Sequence, residues 1–546
     1  MDMTEHCIAL DIGTSGLRAQ LLERGSGRTV ATSITARHPI PGMNVIDHVN
    51  FAMTSGADVA NGLIIRAVNS LFASFGADLS GVREVAVCGN PFQLSLFQNI
   101  EIRDLAYAGK NMLESLGVVS PPRDGDVVKA SDLGIEGMPD AVVIIPPAVT
   151  HEIGADAIAM LLVTDVLGSE EPCIVVDYGT NAEMALIVGG KVYTGSAAAG
   201  PALEGQQIER GMLASPGAVA DVDIRAGGWE CTVLDGSMKD SRGDTVDPLT
   251  GKAAEEGEMH GKAKGITGTG VVAAICCGIE SGLVTPPNIL TPDGALHLQD
   301  GINIYSRDID EAGKAIGALR AGFLTLLLEA GIWTGDVKLA YMSGASGLYV
   351  DARKALSIGM VVPGAERIVQ FGNTSIELAR RLATGKVSLD SLREFAKRLR
   401  ATHCMFATAK AFKDIYSIEY SLWSQGMPAS EYNNMMDVYD LPHIPDPLPD
   451  PEVRRMSATD LPDTEGRTVR ILDDAGTVLT GPVEGCTMCG ACVEECPEDA
   501  ISITGEGGAA IGSIRSDRCA GTACRRCERA CPESVLRITP FTMAGL

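Results

Sequence analysis

Aromatic side chains make up only 4% of this 546-residue chain, against 62 glycines. Gly-rich, aromatic-poor chains use tight turns in which backbone approaches a ligand closely. Basic residues are also scarce: 44 Lys and Arg face 70 Asp and Glu, a net charge of −26. Such a surface repels phosphate backbones, so nucleic acid is not an expected partner. The plainest role of the acidity is solubility. No run of about 18 uncharged apolar residues occurs, and none is long enough to span a bilayer. The best candidate, 321–333, is short and holds Glu329. The first residues, MDMTEH, are acidic and polar rather than basic then apolar, so no secretory leader is read there. A cytoplasmic, membrane-free protein is expected. Hydrophobic content of 45% and charged content of 21% are ordinary for a packed chain, whose length suggests about three to five folding units.

In the cytosol, 15 cysteines do not argue for disulfides. Seven are scattered up to Cys404, mostly in apolar strings, and read as small buried hydrophobes. The other eight crowd between Cys486 and Cys531. The first run, Cys486-x2-Cys489-x2-Cys492-x3-Cys496-Pro497, has the bacterial ferredoxin spacing. Three close thiolates on one loop take three corners of a cubane, and the Cys before Pro serves the other cluster. The second run, Cys519-x4-Cys524-x2-Cys527-x3-Cys531-Pro532, departs from the pattern in its first gap. A longer loop still reaches the same corner. Cys-rich pairs also make zinc sites, but two Cys-Pro endings with internal pseudo-symmetry favour iron. The expected sets are Cys486, Cys489, Cys492 and Cys531 for one [4Fe-4S] cluster, and Cys519, Cys524, Cys527 and Cys496 for the other. A short apolar strand is expected after each run, at 500–503 and 535–538. Two clusters form a relay for single electrons, with potentials that extend to about −700 mV.

Residues 441–464 contain six prolines and predict an extended, semi-rigid spacer that tethers the tail away from the body. The alternating stretch 466–481 predicts a hairpin opening the last module. The expected division is 1–165, 166–440, 441–480 and 481–546.

In the body, two segments repeat one plan. Each is an apolar strand, then Asp-x-Gly-Thr, then a second strand. They hold Asp11, Gly13, Thr14 and Ser15 in one case, and Asp177, Gly179, Thr180 and Asn181 in the other. A Gly-rich hairpin turn lets backbone N–H groups reach phosphate oxygens, hydroxyls add hydrogen bonds, and the strand-end Asp holds Mg²⁺ through its waters. The pair resembles the two phosphate loops of actin, sugar kinase and Hsp70-like ATPases. The strand-to-helix stretch holding Ser343, Gly344 and Gly347 resembles that superfamily's adenosine loop, where small residues admit a purine. The 265–275 stretch, with Gly268, reads as a loop-to-helix connector beside the phosphates. Neither the Walker pattern nor the dinucleotide-binding glycine spacing is present. Helical spacing predicts a core helix over 308–330, with Lys314 a further nucleotide contact. His151 reads as a structural histidine.

Residues 197–212, AAAGPALEGQQIERGM, resemble the A-x-A-G-P-A-x-E-G-x-x-I-x-x-G-M signature of the reductive activators of corrinoid enzymes. The segments at 44–49, 88–90 and 144–156 resemble other stretches of that family, with Pro91 and Phe92 replacing its threonines. The likeness covers roughly residues 5–410. Many members carry an N-terminal [2Fe-2S] domain, whereas here Asp11 is reached almost at once. The two-cluster tail resembles the branch serving methylamine methyltransferase systems of methanogenesis. The resemblance implies a two-lobed actin/Hsp70-like, RNase H-like α/β ATPase body with an α+β ferredoxin domain. It also implies ATP, Mg²⁺ and two [4Fe-4S] clusters, and one-electron reduction of a methylamine-type corrinoid protein from Co(II) to Co(I), fed by an upstream low-potential electron donor. Glu204 is either a polar group at the interlobe cleft that orients water or the partner, or a first-turn acid stabilised by a helix dipole. Two other functions stay open on the residues: an ATP-driven electron injector for a different low-potential enzyme, and an ATP-gated iron–sulfur scaffold or sensor.

Overall fold

The strand His6–Ile12 (β1) is buried along almost its whole length, which is what a central strand covered on both faces requires. In the computed structural model it pairs antiparallel with Leu17–Glu23 (β2), which pairs antiparallel with Thr29–Thr35 (β3). On its other side it runs parallel to Glu84–Gly89 (β4). Asp126–Lys129 (β5) and Val142–Ile145 (β6) complete the row, in the order β3-β2-β1-β4-β6-β5. A further strand, Val469–Leu472, adds to the free edge of β3. The structure describes residues 5–106, 110–179, 181–197, 199–205, 207–212, 214–236, 238–448, 450–464, 467–506, 509–539 and 541–543.

The chain divides into two units. The first comprises 1–159, 375–398 and 461–546, and the second 160–374 and 399–460. In the first, helix Val45–Ser55 (α1) starts at Asn44, whose side chain accepts from the Asp47 N–H. Helix Ala57–Ser74 (α2) buries Leu63, Ile64, Ala67, Val68 and Leu71, the 3.6-residue stripe that holds a helix on a sheet. Each such Leu or Ile contributes about 1.5–3 kcal/mol. Helix Pro91–Phe97 (α3) is capped by Asn90.

The second unit repeats the first unit's core topology. Cys173–Tyr178 (β7) pairs antiparallel with Ala182–Val188 (β8), which pairs with Lys191–Ala197 (β9). β7 then runs parallel to Leu339–Ser343, which runs parallel to Arg367–Gln370. A separate five-stranded sheet built from 218–266 is added to this unit. The core helix spans Ser306–Ala330 and lies against Lys410–Trp423. The approach is so close that a Cβ on Gly313 would stand 2.6 Å from the Trp423 Cβ. Gly313→Ala gains up to about 1 kcal/mol of helix propensity but overpacks the contact at about 1–3 kcal/mol. Thermal unfolding of the variant is therefore expected at lower temperature, with unchanged iron content. An equal or higher midpoint would show that the two helices give way.

Three sequence expectations are corrected. The Pro-rich stretch is not a free spacer. Glu452–Arg455 within it forms an edge strand parallel to Arg367–Gln370, the His443 carbonyl accepts from Trp333 Nε1 at 2.7 Å, and the Asp460 carbonyl accepts from the Asn373 N–H at 2.8 Å. Nor is 466–481 a hairpin. Val469–Leu472 joins β3, while Val478–Pro482 enters a four-stranded ferredoxin sheet with Ile501–Glu506, Ala509–Arg515 and Thr542–Met543. That sheet's module belongs to the first unit rather than standing apart. The strand expected at 535–538 is absent. Leu536 is buried there instead, and the pairing strand comes later, at Thr542–Met543.

Candidate functional site

The first phosphate-loop candidate is the β1–β2 turn. Gly13 N–H donates to the Gly16 carbonyl at 3.1 Å, which closes the turn, and its tip residues 13–15 are half-buried. Asp11 is buried at the end of β1, with Arg18 Nη1 3.4 Å from its Oδ2. Asn90 Nδ2 donates to Thr14 Oγ1 at 3.3 Å. Ser15 lies in the same turn. Nothing in the local spacing of the motif marks Arg18 as the partner of Asp11. The register of the β1–β2 pair, which places Asp11 opposite Arg18, does so.

In the second unit the structure gathers residues from separate motifs. Ser343 Oγ donates to Asp177 Oδ2 at 2.9 Å. Gly344 sits at φ +82°, and a Cβ there would come within 2.6 Å of Asp177 Oδ1. Gly347 packs on the Tyr178 ring, with 3.0 Å to a hypothetical Cβ. Ser343 is expected to line a purine, and its hydroxyl holds the Asp177 carboxylate. Gly179 and Asn181 lie in the β7–β8 turn, and Thr180 lies outside the described residues.

Glu204 ends a single 3-10 turn, Pro201–Glu204. That turn rests on the start of helix Gly268–Glu280, where a Cβ on Gly268 would fall 2.0 Å from the Leu203 carbonyl oxygen. Ser346 Oγ donates to the same carbonyl at 3.4 Å. The signature segment, the Gly268 connector and the adenosine-type loop therefore meet. Two side expectations do not hold. His151 is exposed rather than packed, and the Lys314 ammonium is held by Asp310 at 2.8 Å and Glu311 at 3.0 Å on its own helix.

In the tail, Cys486, Cys489, Cys492 and Cys531 line one cavity together with Val483, Ile503 and Leu536. The fourth thiol reaches it from the second cysteine run. The remaining four are electrostatic neighbours of one another: Cys519 faces Cys496 and Cys524, and Cys527 faces Cys519 and Cys496. Burial, reinforced by these neighbours, pushes the Cys519 thiol up to about 11 and the Cys527 thiol up to about 12. Crowded, half-buried thiols resist ionisation until a cation takes their charge, which is the setting of a thiolate-ligated metal. Burial also raises Cys531, but the amides of Leu536, Val535, Glu533 and Ser534 outweigh it and hold this thiol below the usual range. Met488 N–H points to Cys486 Sγ at 3.4 Å, and Ala500 N–H to Cys496 Sγ at 3.3 Å. Such amide–sulfur contacts tune iron–sulfur potentials. Among the described residues no three His, Cys, Asp or Glu side chains converge on a single-ion site. Four thiols spread around a cavity suit the corners of a cubane, so the first donor set fits a [4Fe-4S] cluster, and the mutual neighbourhood of the other four is compatible with a second. Of the scattered cysteines, Cys7, Cys88, Cys173, Cys231, Cys276 and Cys277 are buried and Cys404 is half-buried.

Comparison with known proteins agrees with this layout. The family model described as the C-terminal domain of RACo, the ASKHA domain, matches residues 171–433. The RACo middle region matches 6–168, and a 4Fe-4S dicluster domain matches 485–535. A curated relative from Methanosarcina barkeri, "[Co(II) methylated amine-specific corrinoid protein] reductase", is 48% identical over 94% of this chain and 95% of its own length. The corrinoid activation enzyme RamQ of Eubacterium limosum is 24% identical over 65% of this chain and 60% of its own. A solved reductive activator for a corrinoid, iron–sulfur protein shares the fold, with TM-score 0.63 and 22% identity, covering 77% of this chain and 66% of that one. Family matches over both body units, together with a relative 48% identical along nearly the whole length, show that the chain belongs to the RACo-type reductive activators of corrinoid enzymes.

Proposed function

We propose that this protein uses ATP to return the cobalt of a methylamine-type corrinoid protein from Co(II) to Co(I), one electron at a time. The observation that carries the reading is the joint presence, in one chain, of two phosphate-loop units and a tail whose eight cysteines sort into two fours. The printed activity of the 48%-identical relative supports the same substrate class. When bound, two [4Fe-4S] clusters supply one-electron carriers of low potential. Co(I) is the methyl-accepting state, and restoring it is uphill for ordinary donors, each ~59 mV being a factor of ten for one electron. The balance is Co(II) plus one electron to Co(I), with the electron from an upstream low-potential donor.

In this reading Asp11 and Asp177 organise Mg²⁺. Gly13, Thr14, Ser15, Gly179, Thr180 and Asn181 hold phosphate. Ser343 fixes the Asp177 carboxylate, and Gly344 leaves room for it. Gly347, Gly268 and the Pro201–Glu204 turn shape the remainder of the second unit's face. Coupling requires that ATP and ADP forms differ in affinity for the corrinoid protein.

The test uses the full chain reconstituted anaerobically, a chemical reductant and purified methylamine corrinoid proteins. MgATP is expected to remove the Co(II) electron paramagnetic signal and bring up the Co(I) absorbance. Iron-loaded protein that binds MgATP yet leaves Co(II) untouched in mono-, di- and trimethylamine partners would turn the reading toward a nucleotide-gated iron–sulfur scaffold.

A further inference from the structure

The widened gap between Cys519 and Cys524 has a structural counterpart. Gly521–Cys524 forms a single helical turn, and this turn rests on the first unit's body. Gly42 N–H donates to the Cys519 carbonyl at 2.9 Å. A Cβ on Gly521, at φ +68°, would stand 3.0 Å from the Gly42 Cα and 3.2 Å from the Pro41 oxygen. A side chain here would need the Pro41–Gly42 backbone to give by a few tenths of an ångström, from a backbone conformation that favours glycine. On the other flank, Arg37 Nη1 pairs with Glu498 Oε2 at 2.8 Å, two residues beyond Cys496. Both ends of the second thiol set are therefore held by one stretch, the loop from β3 into α1.

The far side of that stretch packs on the β1–β2 turn. Leu17 N–H donates to Thr35 Oγ1 at 2.9 Å, and a Cβ on Gly16 would meet Thr35 Oγ1 at 3.1 Å and the Thr35 carbonyl at 3.2 Å. A second connection runs through buried polar groups. Asn90 reaches Thr14, and Asn90 Oδ1 also accepts from the Gln93 N–H at 2.9 Å. Gln93 Nε2 lies 2.7 Å from His48 Nδ1, and His48 stacks on His38 at 4.2 Å between ring centroids. His48 and Gln93 are fully buried. This polar chain is only partly satisfied, since His38 Nε2, His48 Nε2 and Gln93 Oε1 are buried with no hydrogen-bond partner among the described residues, so the firm link between the stretch and the turn is the packing of Thr35 on Gly16 and Leu17.

We infer that residues 36–48 are a positioning element that ties the ligand loop of the second thiol set to the turn holding Thr14, so that nucleotide at this turn alters the electronic environment of the cluster held by Cys496, Cys519, Cys524 and Cys527. The inference rests on the nucleotide reading above. It assigns the two extra residues of the Cys519–Cys524 gap to docking, and it makes the second thiol set, not the first, the one that senses ATP. Packed contacts transmit such a change because they have discrete arrangements rather than a continuous range.

The test is a redox titration followed by electron paramagnetic resonance on the full reconstituted chain, with and without MgATP. Equilibrium binding of MgATP is measured in parallel. Wild type is expected to show a nucleotide-dependent shift confined to the second cluster, with signals assigned against Cys489→Ser. Arg37→Glu sets two like charges together at Glu498. It is expected to keep its iron and its MgATP affinity while losing at least about half of the shift. The charge swap Arg37→Glu/Glu498→Arg is expected to restore it. If Arg37→Glu does not hold iron, Arg37→Gln replaces it, with the same expected loss. An undiminished shift in the iron-loaded variant, or wild type that binds MgATP and shows a shift only in the first cluster or in none, overturns the inference. Wild type that does not bind MgATP overturns the nucleotide reading itself, and this inference with it.

Discussion

Asp177→Asn is expected to cut ATP-dependent Co(II) reduction by about a hundredfold or more while leaving iron content at the wild-type level. The side chain keeps its volume and loses its charge. Asp177 is the penultimate residue of β7, where Ser343 Oγ donates to Oδ2 at 2.9 Å and Gly344 leaves no room for a side chain beside Oδ1. A carboxylate fixed this firmly is preorganised for a cation, and removing one preorganised electrostatic group typically costs about 10²–10³ in rate. Ser343→Ala should be milder, about tenfold to a hundredfold, because a hydrogen bond to a charged group is worth about 1.5–3 kcal/mol. The two variants separate two roles for Ser343. If it acts through Asp177, excess Mg²⁺ should recover part of the Ser343→Ala rate, and the apparent affinity for the adenine base should not change. A loss of adenine selectivity without Mg²⁺ rescue would return Ser343 to the purine-lining role that its motif suggested. Full activity in Asp177→Asn would remove the second phosphate loop from the mechanism.

The difference between the two roles of Ser343 shows what could be read from the chain alone. Strand, Asp-x-Gly-Thr, strand is a local pattern, and β1–β2 and β7–β8 form where the apolar alternation and the turn glycines place them. The cysteine spacing was equally local, because three ligands of each set sit within one loop. What could not be read were partners distant in sequence. The stretch 466–481 alternates correctly for strands, but alternation does not say which edge a strand joins. Its first half went to β3 and its second to the ferredoxin sheet. The same limit hid the docking of the Cys519–Cys524 loop on Gly42, since a glycine in a loop gives no sign of which backbone approaches it. The prolines of 441–464 did mark extended chain, as their fixed φ requires. Composition could not show that extended chain would lie along an existing sheet. Glu204 was hard to place for another reason: its turn is defined by the steric demand of Gly268, which lies more than sixty positions later.

The cross-ligation of the tail supplies the sharpest remaining expectation. Cys531 belongs to the second cysteine run by sequence but lines the cavity of Cys486, Cys489 and Cys492. Cys496 belongs to the first run but faces Cys519 and Cys527. Cys531→Ser should therefore damage the same cluster as Cys489→Ser, and Cys496→Ser the same cluster as Cys524→Ser. Iron should fall from about eight atoms per chain, to about four where the damaged cluster is lost and to about seven where it persists as a three-iron species. The two pairs should leave two different residual spectra, each pair sharing one. The Cys531 amide cage bears on the first pair. The backbone amides of 533–536 lower that thiol, and amide donors of this kind stabilise thiolate charge and move cluster potential upward. Serine keeps an acceptor in the cage but binds iron less well, so a residual cluster in Cys531→Ser should be a three-iron species or one of lower potential. If Cys531→Ser instead matched Cys524→Ser, each run would ligate its own cluster. The relay order, the docking of the second thiol set on the first unit's body, and the route by which ATP reaches the iron would then all have to be drawn again.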